Sequence, residues 1–221
     1  WGETVFSGPQ GCPAGAAVEV SDLFGNLPAR RKFLRSASAE TSRIQELVSR
    51  YALVFPGIRF QLLVDGRVSF TSPGNGLPRE ALLAVYGPQA ATAMLEVHGE
   101  DSETGYQVDG FAGAPSLTRA NRTYMTFFVN RRWVQSRMLS YAVEEAYTGL
   151  LQVKRYPLAA VNISMPYEEV DVNSHPSKRE VRFREESRVF SVVQRAVRAV
   201  LVADSPVPNL APPPDFDYPV T

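Results

Sequence analysis

The chain has 221 residues, 44% apolar and 10% aromatic, and its 23 basic side chains balance 23 acidic ones. That composition supports one large domain or two small ones and excludes a disordered tail. No apolar run reaches the ~18–20 residues that cross a bilayer, so no membrane partner is expected. Cys12 is the single cysteine, which excludes internal disulfides and fits a reducing cytoplasm. With only His98 and His175 beside it, little remains for a zinc site, and no metal centre is expected. The opening Trp1-Gly2-Glu3-Thr4 has neither an initiator Met nor a basic leader, and reads as the start of a fragment of a longer protein.

The neutral total conceals a pattern. Net charge is +2 over 1–68, −4 over 69–120, +5 over 121–200 and −3 over 201–221. All but Lys32, Lys154 and Lys178 of the basic residues are Arg. Arginine enrichment follows from a GC-rich genome or a thermophilic source, and equally from phosphate recognition by the guanidinium fork.

In chain order, 16–20 (Ala-Ala-Val-Glu-Val) reads as a strand, and Gly25-Asn26-Leu27-Pro28 as a turn into a helix start. Ile44, Leu47, Val48, Tyr51 and Phe55 recur at helical spacing and predict a helix over 40–55, stopped by Pro56-Gly57. A strand over 58–64, an Asp65-Gly66 turn and a strand over 68–70 form a hairpin. After a break at 72–76 comes a short helix over 78–86, then strands near 93–98, 105–112 and 123–129, the last apolar enough for burial on both faces. A helix over 136–151 and a strand over 158–165 complete a βαβ unit, which implies a parallel strand pair. The final helix, 186–201, has Val189, Val193, Ala196, Val197 and Val200 on one face, with Arg184, Arg188, Arg195 and Arg198 opposite. Beyond Asp204 the Pro-rich composition is that of a linker.

Three local features carry possible chemistry. Lys178 follows the Pro176 loop, where it either delivers a point charge to a phosphate or sits solvated at a strand edge. His175 lacks an evident partner, and Asp171 with Asn173 are two ligands, which do not make a metal site. Asn130-Arg131-Arg132, with Arg137 in the following helix, form either a solvated tight turn or a phosphate-contacting edge, and Trp133 either stacks on a base or caps the core. Arg30 and Arg31, beside Lys32, are a candidate anion site at a helix start. No complete catalytic set is visible.

The same residues carry a resemblance. Asp22-Leu23-Phe24-Gly25-Asn26-Leu27-Pro28-Ala29-Arg30-Arg31-Lys32-Phe33-Leu34 resembles the D-L-F-x-N-x-P-A-R-x-K-F-L motif of the MutL (MutL/HexB) DNA mismatch repair family. Phe128-Val129-Asn130-Arg131-Arg132 is similar to its F-V-N-G-R. The run from Val170 to Phe183 is similar to V-D-V-N-V-H-P-x-K-x-E-V-R-F. Arg131 stands where the family has Gly, so this turn must avoid a Gly-only conformation or accept strain.

The resemblance implies an α+β or α/β two-layer architecture. Residues 1–68 would end an ATPase domain of the gyrase, histidine-kinase and MutL (GHKL) type. Residues 69–202 would form a transducer domain like the second domain of ribosomal protein S-five, with a left-handed βαβ crossover, and 203–221 would begin a linker. It implies that ATP binding and hydrolysis drive domain closure, DNA binding and recruitment of repair partners in a bacterial, cytoplasmic protein. Lys178 would contact the ATP γ-phosphate, with Mg also present in the full-length protein. Arg137 would contact DNA, with Arg131 and Arg132 as companions. The implied partners are DNA, a MutS-type mismatch recognition protein and a second copy of the chain. The general base, Mg ligand and ATP lid precede this stretch in the family, so it is expected to be inactive alone with no bound cofactor. The alternative is an Arg-rich nucleic-acid-binding module without ATP coupling.

Overall fold

Short-range signals set the first elements. The turn over 22–26 is closed by the Gly25 N–H donating to the Asp22 carbonyl at 2.7 Å. It leads into a one-turn helix, α1 (Pro28–Arg31). Ser36 then starts α2 (Ala37–Val54): its Oγ accepts from the Ala39 N–H, while Glu40 Oε1 accepts from the Arg35 N–H. The Ser36 bond satisfies one donor that a helix start leaves open, and the Glu40 bond ties the preceding backbone to the first turn. The computed structural model describes residues 8, 11, 14–171 and 180–204. Cys12, Asn173, His175, Lys178 and the Pro-rich stretch from 205 lie outside the described residues. The chain divides into two units, Trp1–Ser42 and Arg43–Thr221.

In the first unit the strand expected over 16–20 is absent; these residues are exposed and irregular. A β-prone pentapeptide has no ladder of its own, and no described strand in this unit offers one.

The second unit begins within α2. A hairpin follows, β1 (Gln61–Val64) and β2 (Arg67–Thr71), turned by Asp65 and Gly66 at φ 49° and 75°. Both values are positive, which is the twist-matched two-residue turn that Asp-Gly favours. Then comes α3 (Pro78–Thr92), bent at Gly87 with φ 80° and ψ 167° just before Pro88. The sequence placed the end of this helix at Tyr86. The bend is there, but a second helical turn follows it.

A five-stranded sheet is the frame of this unit. Its strands are β3 (Met94–Asp101), β4 (Tyr106–Gly113), β6 (Met125–Val129), β7 (Arg132–Val134) and β9 (Ala159–Ser164), in the spatial order β3-β4-β9-β6-β7. Two-residue strands β5 (Thr118–Arg119) and β8 (Tyr156–Pro157) pair beside it. The expected parallel pair is β6 with β9, with α4 (Arg137–Ala146) in the crossover; all other neighbours are antiparallel. Every residue of β6 is buried, as its apolar run required. Helix α4 ends five residues earlier than the spacing suggested. Tyr147 is its C-cap, and Gly149 turns the chain at φ 81°.

Finally β10 (Val170–Asp171) pairs with β11 (Arg182–Phe183), and α5 (Glu186–Asp204) closes the fold. Leu139, Val143 and Ala146 of α4 and Val189, Val193, Val197 and Leu201 of α5 share one core with Val108, Phe127, Val129 and Val161 of the sheet. Phe111, Met94 and Leu158 form a smaller second core with Leu82, Ala90 and Ala91 of α3. The sheet therefore carries apolar cover from helices at two separate cores.

Candidate functional site

The basic residues of this unit fall into two groups. The first is the stripe of Arg184, Arg188, Arg195 and Arg198, at and just before α5, to which the sequence assigned no role. Arg188 donates to both oxygens of Asp101, at 3.4 and 3.3 Å, and also pairs with Glu103. Arg195 approaches Asp101 at 3.5 Å, and Arg184 approaches Glu169 at 3.5 Å. Arg198 donates to the carbonyls of Ala146 and Thr148 at 3.0 and 3.1 Å. The Ala146 carbonyl is one that the end of α4 leaves open and the Thr148 carbonyl lies just past the C-cap, and a cation there is favoured by the helix dipole. Hydrogen bonding from Arg188 holds the Asp101 carboxyl below its ordinary range. In the same way Arg122 grips Glu144 through two bonds, at 2.5 and 2.8 Å. Much of the +5 segment is thus spent inside the fold.

The second group lies where β6 turns into β7. Asn130 and Arg131 have φ 50° and 64°, and Val129 pairs with Arg132 across them. This is the two-residue hairpin turn whose second position favours Gly. Arg131 accepts the strain, which costs roughly 1–2 kcal/mol for a side chain in the left-handed region. Three hydrogen bonds hold the turn on the neighbouring strand. The Asn130 N–H donates to the Ile163 carbonyl at 2.8 Å, and the Arg131 N–H donates to Asn162 Oδ1 at 3.0 Å. Asn130 Oδ1 accepts from the Met165 N–H at 2.9 Å. The Asn130 Nδ2 is buried without a partner among the described residues.

Beyond the turn, Arg132 is half-buried and engaged within the chain. Trp133 is also half-buried, with the Arg50 guanidinium 4.1 Å from its ring centroid, so one ring face is already covered. Ser136 caps α4, its Oγ accepting from the Leu139 N–H at 3.2 Å. Arg137 is the first residue of α4, exposed, and in no ion pair among the described residues. The first turn of α4 holds no acidic residue. A cation there gains nothing from the dipole; instead, side chain and helix end add positive potential at one spot, which suits an anion.

Arg30 and Arg31 are exposed on α1, in the first unit. A single turn develops little dipole, so any anion there would be held by side chains. Lys178 lies outside the described residues, between β10 and β11 in the chain.

Sequence reasoning missed a cleft of about 570 Å³ on the sheet, lined by Leu53, Pro56, His98, Asp109, Arg131 and Asn162 among others. His98 Nδ1 lies 2.7 Å from Asp109 Oδ1, directly across the β3–β4 ladder. That hydrogen bond raises the imidazole above its ordinary 6.5. Only the strand register could have paired these residues, which stand eleven apart in sequence.

A family model described as "DNA mismatch repair protein, C-terminal domain" matches residues 82–202, more than half of the chain. The DNA mismatch repair protein MutL of Heliobacterium modesticaldum is 44% identical over 191 residues, covering 86% of this chain and 29% of that protein. The chain belongs to the MutL family of DNA mismatch repair proteins. The MutL of Limosilactobacillus fermentum is 41% identical over 209 residues, covering 95% of this chain and 32% of that protein. The chain thus spans about a third of the length of the MutL relatives it matches.

Among solved structures, the N-terminal domain of a DNA repair protein superposes with a TM-score of 0.67 at 20% identity, covering 82% of this chain and 59% of that one. The Aquifex aeolicus MutL ATPase domain complexed with ADP gives 0.50 at 22% identity, covering 78% and 55%. The mixed α/β fold expected from the motifs is therefore the fold found.

Proposed function

We propose that this chain is the part of a MutL protein that couples nucleotide state to DNA binding and to recruitment of repair partners. In this reading residues 1–68 end the ATPase domain, 69–202 form the transducer domain with its left-handed crossover, and 203–221 begin the linker. Lys178 contacts the ATP γ-phosphate. Arg137 contacts the DNA backbone, with Arg131 and Arg132 beside it, and Arg30 and Arg31 are a further anion site. The observation that carries the reading is the exposed Arg137 at the start of α4, in no ion pair among the described residues and six residues beyond a turn position held by Arg131. Family membership supports the rest. DNA, a MutS-type protein and a second copy of the chain are the proposed partners, in the bacterial cytoplasm. No helix among the described residues is long and apolar enough to cross a membrane.

ATP is the substrate of the whole protein in this account. Among the described residues no group of three His, Cys, Asp or Glu is placed to hold a metal ion, and no step at phosphorus is assigned to them. What they supply is placement: a β6–β7 turn pinned to β9, and a helix start whose positive end faces outward. The paired arginines of α5 weigh against the simpler Arg-rich module, because Arg188, Arg195 and Arg198 are committed to internal acceptors.

The test uses the full-length protein. Lys178→Ala should weaken nucleotide affinity, and unchanged affinity would remove Lys178 from the site. Arg137→Glu should weaken DNA binding about ten-fold or more at moderate salt, through one lost and one opposed phosphate contact.

A further inference from the structure

Two contacts join α2 to the β6–β7 hairpin, and they run in opposite directions. Arg50 of α2 lies 4.1 Å over the Trp133 ring of β7, and Arg131 of the turn lies 6.0 Å from the Phe55 ring just beyond α2. Each element thus offers a cation to an aromatic ring of the other. The Arg50 side chain is only 14% exposed, and a cation on an aromatic face is held more tightly when water is excluded. Glu46, one helical turn away at 2.5 Å, fixes the guanidinium on the helix side.

At the hairpin end the turn is pinned to β9, and β7 beyond it is the outermost strand. Strand β7 has three residues and lies at the edge of the sheet, paired with β6 alone. Its turn is strained at Asn130 and Arg131. Ser136, the cap of α4, follows Trp133 by three residues, and Arg137 comes next. A shift of α2 carried by Arg50 to Trp133 therefore reaches Arg137 through a short connection with little slack.

We propose that the Arg50–Trp133 and Arg131–Phe55 contacts are the joint through which the position of α2 sets the position of Arg137. Arg50 and Trp133 are positioning residues; neither touches DNA. The inference rests on the proposed role of Arg137 and assigns the route by which the rest of the protein influences it. Coupling between two sites is reciprocal, so DNA held at Arg137 must also act back on α2.

That reciprocity gives the experiment. Amide hydrogen exchange is followed in the full-length protein, with and without a short DNA duplex, over 43–54 and 130–137. In the unsubstituted protein, DNA should change protection in both windows. Arg50→Met keeps the aliphatic stem and removes the charge. It should leave the 130–137 response and the DNA affinity within about two-fold while reducing the 43–54 response about five-fold or more. Arg50→Lys restores a cation and should recover most of that response, whereas a purely packing role would treat Lys and Met alike. DNA binding with no response over 43–54, or an equal response in Arg50→Met, would overturn the joint alone. An unsubstituted protein that binds no DNA would overturn the Arg137 reading and the joint with it.

Discussion

Arg188 and Arg195 on α5 converge on Asp101, whereas Arg131 and Arg137, at the hairpin turn and the start of α4, form no ion pair among the described residues. Both groups belong to the same positively charged stretch, and a count of charge cannot separate them. Pairing can. The α5 arginines tie the β3–β4 end and the α4 terminus to the last helix. Arg131 is carried on a turn that three hydrogen bonds hold in a costly conformation, and Arg137 opens the helix that follows. Strain that persists because its surroundings over-determine it is characteristic of functional positions. The comparison therefore gives the α5 arginines a structural task and leaves Arg137 exposed for the phosphate contact proposed above.

The comparison can be broken at its structural side first. Leu201 on α5 is fully buried in the main core. Leu201→Ala should cost about 2–5 kcal/mol in denaturant unfolding while the remaining folded protein binds DNA with unchanged affinity. A matching loss of DNA affinity in folded molecules would put α5 in the interface. The strained turn offers a sharper probe. Arg131→Val, a β-branched residue at φ 64°, should destabilise by about 2 kcal/mol. Arg131→Gly should stay within about 1 kcal/mol of the parent, because released strain offsets the lost Phe55 contact and the added chain entropy. Equal effects of Val and Gly would contradict the left-handed turn.

The smallest expected effect lies away from both groups. His98 gains its proton partner in Asp109, so its folded value is raised above 6.5. The pair therefore contributes stability fully below that pH, and the contribution is lost as pH rises through the raised value. Melting temperatures of His98→Gln and the parent should differ slightly at acidic pH and converge at alkaline pH. A gap that widens with pH would reverse the assignment.

The architecture was legible where one signal dominated. Apolar spacing gave α2, α4 and α5, Asp65-Gly66 gave the first hairpin, and the uninterrupted run at 125–129 gave the buried central strand. Strands β5 and β8 were not legible, because two-residue strands have no period. Strand β7 was hidden by the charged turn that precedes it. The end of α4 was overestimated because Tyr147 and Leu150 continue the apolar spacing while the backbone has already turned. On α2 the helical spacing was right, yet Ile44 and Leu47 remain exposed among the described residues, since period alone does not say what covers a face. At the candidate site the residue types were legible and the pairing was not. Asp101 stands 87 positions from Arg188, and only the fold brings them together.

The most direct measurement is the salt dependence of DNA affinity for Arg137→Ala and Arg195→Ala in the full-length protein. Each lost phosphate contact lowers the slope of log affinity against log salt by about one. Arg137→Ala should lower the slope by about one, and Arg195→Ala should leave it unchanged. Equal slopes for Arg137→Ala and the parent, or a fall confined to Arg195→Ala, would contradict the division of labour between the two arginine groups.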